Sequence, residues 1–249
     1  MKDIKFPNID KRDIFYTEFE GTPYYSLTGM KYLKNNYKNA FIVIPSLETN
    51  IKKHTDISIR WIQIKNNKGY IKIPPNFWDI IIYKYLQKMG GIRFIVFPFG
   101  FSCNKGGGHS NYFIYDCKSK TLERFDSIRK HNSKCVNVKD IDDKLKDMFS
   151  EYLGNGFIHK YLKPFKKYAY FQEVQDKERE KIETDPEFGF CSAWSLFWVE
   201  LRLLNPDIER EELIQISLDY IKKSKLSLTQ FIRSYSNQIV SFSKKYKKV

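Results

Sequence analysis

The chain has 249 residues, 42% of them hydrophobic and 16% aromatic, enough apolar material for a substantial buried core and too much for a disordered chain. Its 43 Lys and Arg outweigh 29 Asp and Glu, giving a formal charge of +14, which favours polyanionic partners without bearing on fold. The four cysteines, at 103, 117, 135 and 191, form no CxxC pair, which excludes a zinc ribbon or a dense disulfide framework and favours free thiols in a reducing compartment.

The amino terminus, MKDIKFPNIDKRDIF, carries charges where a signal peptide needs an apolar stretch, and the longest apolar runs fall short of a membrane span. The expectation is an intracellular protein with no membrane partner. Residues 1–75 form a region without evident chemistry: YYSLTGMKYLKNNY has helical character, and AFIVIPSL and WIQIKNNKGYIKIP read as strands around an NKG turn. A core domain is expected over residues 76–249. It opens with PNFWDIIIYKYLQKMGG, whose apolar spacing, early proline and terminal glycine describe a helix.

IRFIVFPFGF follows as an apolar strand, then three glycines and SNYFIYDCKSKTLERFDS, a hairpin turning at CKSK. NVKDIDDKLKDMFSEYL is an amphipathic helix with Ile141, Leu145, Met148, Phe149 and Tyr152 on one face. KKYAYFQEVQ has strand character. CSAWSLFWVELRLL is apolar nearly all round, as a buried helix requires, and Asn205 with Pro206 reads as the start of the next helix. Two helices and a basic tail, SKKYKKV, close the chain. The fold class expected from this order is α+β, a central mixed sheet packed by helices.

Three side chains in this order supply the parts of a thiol nucleophile. His109 enters the first strand of the hairpin, Asp126 ends the second, and Cys191 opens the buried helix. A cysteine reacts as its thiolate, which a helix amino terminus and a neighbouring imidazolium both favour. An imidazole so used must be held in one tautomer by a partner on its other nitrogen, a task for Asp126, 17 residues from His109 at the matching end of the hairpin. Asn111, on the strand face of His109, and Trp194, one turn into the helix, are candidates to line a substrate groove, with a structural role in the hairpin and in the core as their ordinary readings, and Gly107 and Gly108 would let a peptide backbone approach closely. No residue set suggests a metal, and Gly106–Gly108 lack the setting of a phosphate loop. Taken singly, each of these residues has an ordinary reading as a loop histidine, a core thiol or a turn acid.

The order His, Asp, Cys, the FDS corner at 125–127 and FCSAWSLFWVELRL at 190–203 resemble the superfamily of ubiquitin-like-protein proteases, adenovirus-type (adenain) proteases and related proteases of large DNA viruses. The resemblance spans roughly residues 76–204. It implies a thiol endopeptidase with His109, Asp126 and Cys191 as triad and no cofactor, although nucleic acid can act as activator in such proteins. It also implies a protein or peptide substrate cleaved after small residues such as Gly-Gly, either a viral precursor or a ubiquitin-like conjugate, in host cytoplasm or virion.

The chain departs from the family pattern in three places. Ser110 stands where the family has Trp, Phe-Cys-Ser replaces Asp-Cys-Gly, and Asp185 occupies the place of the oxyanion glutamine. Gln172, 19 residues before Cys191, is the expected substitute, with Gln175 second. The rival readings are a basic DNA- or RNA-binding protein on a silent protease scaffold and a thiol acyltransferase using the same three residues.

Overall fold

The computed structural model describes residues 3–10, 23–43, 59–66, 68–74, 77–79, 91–103, 108–127, 137–153, 160–162, 171, 174–175 and 190–246. They belong to two compact units that interleave along the chain. The first comprises Met1–Leu33, Asp126–Arg129 and Phe165–Val249, and the second Lys34–Phe125 and Lys130–Pro164.

The second unit holds a mixed sheet, as expected for the α+β class. Its strands are β1 (Ala40–Ile42), β2 (Ile59–Lys65), β3 (Lys68–Lys72), β4 (Phe94–Ser102), β5 (Gly108–Asp116), β6 (Thr121–Phe125) and β7 (Lys160–Leu162). Their order is β3-β2-β4-β5-β6-β7, with β1 also paired to β4. β1 runs parallel to the start of β4 and β2 parallel to its end, whereas β4, β5 and β6 form an antiparallel meander. The predicted turn at Cys117–Lys120 joins β5 to β6, and Lys120 takes the left-handed conformation that reverses the chain.

Alternation along β4 sends Ile95, Phe97, Phe99 and Phe101 to one side of the sheet. There they form a core with Phe113, Tyr115, Leu122 and one face of helix α2 (Val138–Leu153), namely Ile141, Leu145 and Phe149. Tyr152, expected on that face, is half exposed and stacks instead on Trp78, rings 4.5 Å apart. Phe77–Asp79 are helical, and the rest of the helix expected there lies outside the described residues.

The regular secondary structure described in the first unit is helical, while residues 3–10 and 126–127 lie outside any helix or strand. It contains α1 (Pro23–Asn36, which runs three residues past the unit boundary), α3 (Cys191–Leu204), α4 (Arg210–Lys223) and α5 (Leu228–Tyr246). α3 is buried along almost its whole length, as its all-round apolar character predicted. Its axis carries one carboxylate, Glu200, which accepts hydrogen bonds from the phenols of Tyr32 and Tyr235, both at 2.8 Å. Burial and this carboxylate hold both phenols above the ordinary tyrosine range.

Three expectations are corrected. Asn205 does not start a new helix. It caps the end of α3, its side chain bonding the Leu201 carbonyl and both backbone groups of Lys5, and α4 begins only at Arg210. Phe171, Val174 and Gln175 are helical, although the aromatic run KKYAYFQEVQ has strand character, because Phe171 is drawn flat against the Trp194 ring. Cys103, just beyond β4, is disulfide-bonded, whereas Cys117 and Cys191 are free thiols. Sequence spacing does not reveal which cysteines meet in space.

Candidate active site

The catalytic candidates divide between the units, His109 in the sheet unit and Asp126 and Cys191 in the helical one. His109 is the second residue of β5 and pairs with Phe101 across the antiparallel ladder. The two rings lie nearly parallel, 8° apart in tilt and 5.9 Å between centroids. Such a cross-strand pair restrains the plane of a partly buried imidazole. Gly108, its neighbour, pairs with Ser102 at the strand start, and Gly107 lies outside the described residues.

Two residues along the same face, Asn111 is wholly buried opposite Phe99. Its carbonyl oxygen accepts a hydrogen bond of 3.1 Å from Arg124, whose guanidinium also makes paired bonds to Asp142 on α2. The same guanidinium lies against the rings of Phe99 and Phe101. Asn111, a groove candidate whose ordinary reading is a structural role in the hairpin, is fastened into that hairpin, with its amide nitrogen buried and unpartnered among the described residues. Arg124 and Asp142 were not singled out from sequence. The one available signal was a charge at a position where strand alternation called for an inward side chain.

In the helical unit, Asp126 directly follows β6 and is 1% exposed. Buried carboxylates require polar partners, so this position is not that of an ordinary surface turn acid. Cys191 is the first residue of α3, a free thiol with 8% of its surface exposed. The Phe190 carbonyl closes the first turn by accepting the Trp194 N–H at 2.9 Å, and Phe190, at the N-cap position, brings no side-chain acceptor of its own. First-turn N–H groups have no intrahelical acceptor, so they converge at this end as a partial positive charge. The Arg233 guanidinium lies over the Phe190 ring, 5.7 Å from its centroid. A helix amino terminus is a place where thiolates are commonly favoured.

Trp194, whose helical spacing suits the core and which is also a groove candidate, is fully buried. Its indole is stacked between Phe171 and Phe231, at 4.8 and 6.3 Å, and its N–H donates to the Gln175 side chain at 2.7 Å. Gln175 in turn donates to Thr229. Both ends of that amide are engaged in packing contacts, and the side chain is fully buried. Gln172 lies outside the described residues. Among the described residues no cluster of three or more His, Cys, Asp or Glu could hold a metal, and no helix is long and apolar enough to cross a membrane.

No family model matches the chain. It is 26% identical, over 96% of its length, to a protein of Acanthamoeba polyphaga mimivirus described as an ankyrin repeat protein, and it spans about a third, 34%, of that relative. Ankyrin repeats are helix pairs recurring every 33 residues or so. The mixed sheet found here is a different architecture. Among solved structures, the chain is similar to the C-terminal Ulp1 protease domain in complex with Smt3, the yeast SUMO, at 14% identity and TM-score 0.40, covering 89% of this chain and 77% of that one. It is also similar to ChlaDub1 from Chlamydia trachomatis at 10% identity and TM-score 0.46, covering 93% and 94%. At TM-scores below 0.5 these likenesses do not by themselves fix the chemistry.

Proposed function

We propose that the chain is a cysteine peptidase acting on ubiquitin-like conjugates or on a viral precursor, cleaving after small residues such as Gly-Gly. The observation that carries this reading is the Cys191 thiol at the amino-terminal, positive end of a buried helix. In this reading Cys191 attacks the scissile carbonyl, His109 takes the thiol proton and returns it to the leaving amine, and Asp126 orients the imidazole. The Cys191 backbone N–H and the Gln172 side chain would hold the oxyanion. The chemistry calls for no metal or organic cofactor.

Ubiquitin- and SUMO-derived probes with an electrophilic carboxyl end, together with Gly-Gly-X peptides, test the reading directly. Wild type should be labelled at Cys191 and turn over the peptides, and Cys191→Ala should do neither. Full turnover by Cys191→Ala ends the mechanism. Acyl transfer from a coenzyme donor without peptide cleavage would instead mark an acyltransferase.

The +14 charge favours a second reading, in which the chain binds DNA or RNA. Its mark would be a steep salt dependence of binding that Cys191→Ala leaves unchanged. Adding DNA to the peptidase assay would reveal an activator role.

A further inference from the structure

The residues preceding the catalytic candidates have no chemistry of their own, yet they fasten α3 at both of its ends. At the start, Ser26 on α1 and Ser192, the residue after Cys191, share a hydrogen bond of 2.7 Å between their hydroxyls. Ser192 is 1% exposed, so its hydroxyl depends on a protein partner. At the far end, the Lys5 N–H donates to Asn205 at 2.9 Å and the Lys5 carbonyl accepts from it at 2.7 Å. Between these points the contacts advance in step along the two helices. Gly29 abuts Leu196 so closely that a Cβ there would overlap it, and Tyr32 donates to Glu200. Positions 26, 29 and 32 thus meet 192, 196 and 200, the spacing of two helices running side by side in the same direction.

We propose that this amino-terminal segment is a brace that sets the axial position of α3, and that Ser26 is the positioning residue for the Cys191 thiol. The inference rests on Cys191 being the nucleophile. Polar contacts at 26, 32 and 205 fix rotation and sliding of α3, which greasy contacts alone leave loosely specified. The Ser26 bond acts on the first turn of α3, the turn that Cys191 opens. Releasing it lets that turn fray and weakens the thiolate.

The test uses the full chain with Ser26→Ala, Ser26→Thr, Ser192→Ala and Asn205→Ala. The rate of Cys191 alkylation by iodoacetamide is followed against pH by mass spectrometry of its peptide, which separates it from Cys117. In Ser26→Ala and Ser192→Ala the midpoint of the alkylation profile should move up by roughly half a pH unit. Turnover of a reporter should fall about 10-fold in kcat with little change in KM. Ser26→Thr, which keeps the hydroxyl, should retain the wild-type profile, and Asn205→Ala should give a smaller shift of the same sign.

A Ser26→Ala profile that superimposes on wild type, with only a lowered Tm, overturns the proposal and leaves Ser26 a packing residue. If Ser26→Ala does not fold, Ser192→Ala and Ser26→Thr decide the matter by the same readout. Reporter turnover that survives Cys191→Ala would defeat the peptidase reading, while the alkylation profile still answers whether Ser26 governs the thiol.

Discussion

Arg124 and Asp142 meet in two nearly parallel hydrogen bonds, Nε to Oδ1 at 2.8 Å and Nη2 to Oδ2 at 3.2 Å, with their side chains 0% and 3% exposed. The pair joins the hairpin that carries His109 to helix α2, and through Arg124 it reaches Asn111 and the ring of Phe101. Breaking one side of such a pair strands a charge in the core. Asp142→Leu should therefore lower stability by about 3–5 kcal/mol, and Arg124→Met by a similar amount. The double variant Arg124→Met with Asp142→Leu should recover most of that loss, because it removes both charges together. Denaturant midpoints of the four proteins give the coupling. Additive losses would mean that the two groups do not depend on each other.

The phenols of Tyr32 and Tyr235 titrate above their ordinary range in the folded chain, through burial and the Glu200 carboxylate. A group whose pKa is raised on folding stabilises the fold below its unfolded value and loses that contribution as pH climbs past it. Unfolded tyrosine titrates near 10. Stability from these groups should therefore be flat between pH 7 and 9 and fall steeply above about pH 10. Tyr32→Phe and Tyr235→Phe should each be less stable at neutral pH, since Glu200 loses a donor, yet show a shallower alkaline decline. Urea titrations from pH 7 to 11 check both slopes.

Gly29→Ala would ordinarily strengthen a helix by about 1 kcal/mol. Here the added methyl overlaps Leu196, a fully buried side chain, so overpacking should dominate and the variant should lose roughly 1–3 kcal/mol. Thermal melts of Gly29→Ala with and without Leu196→Ala test the assignment. The second change should cost less in the Gly29→Ala background than in wild type. A Gly29→Ala melting above wild type would show that α1 does not press on α3.

The two candidate glutamines should separate cleanly. Gln175→Ala strands the buried Trp194 N–H, so it should cost about 1–3 kcal/mol of stability while leaving the folded fraction active. Gln172→Ala should leave stability nearly unchanged and lower kcat by roughly 10²–10³-fold if it donates to the oxyanion. Single-turnover assays beside melts resolve the two. Equal kcat in Gln172→Ala and wild type would remove Gln172 from the mechanism.

Local pattern made much of the fold legible. A continuous apolar run marked β4, the CKSK turn closed the hairpin of β5 and β6, and the face of α2 followed from apolar residues three and four apart. The helix headed by Cys191 was readable because a run apolar on every side can only be interior. These features depend on residues within one or two turns of each other, so the chain's own order determines them.

Tertiary structure alone decided where buried polar groups find partners. Glu200 takes one phenol from 168 residues away and another from 35, and Asn205 bonds Lys5 across 200 residues. An asparagine's side chain caps a helix end as well as a start, so only the arrival of Lys5 settled which. Trp194 and Gln175 became core for the same reason, each satisfying the other where water does not reach. In a low-dielectric interior an unpaired donor or charge costs more than local propensity can repay, and the partner is chosen by proximity in space, which sequence order does not record.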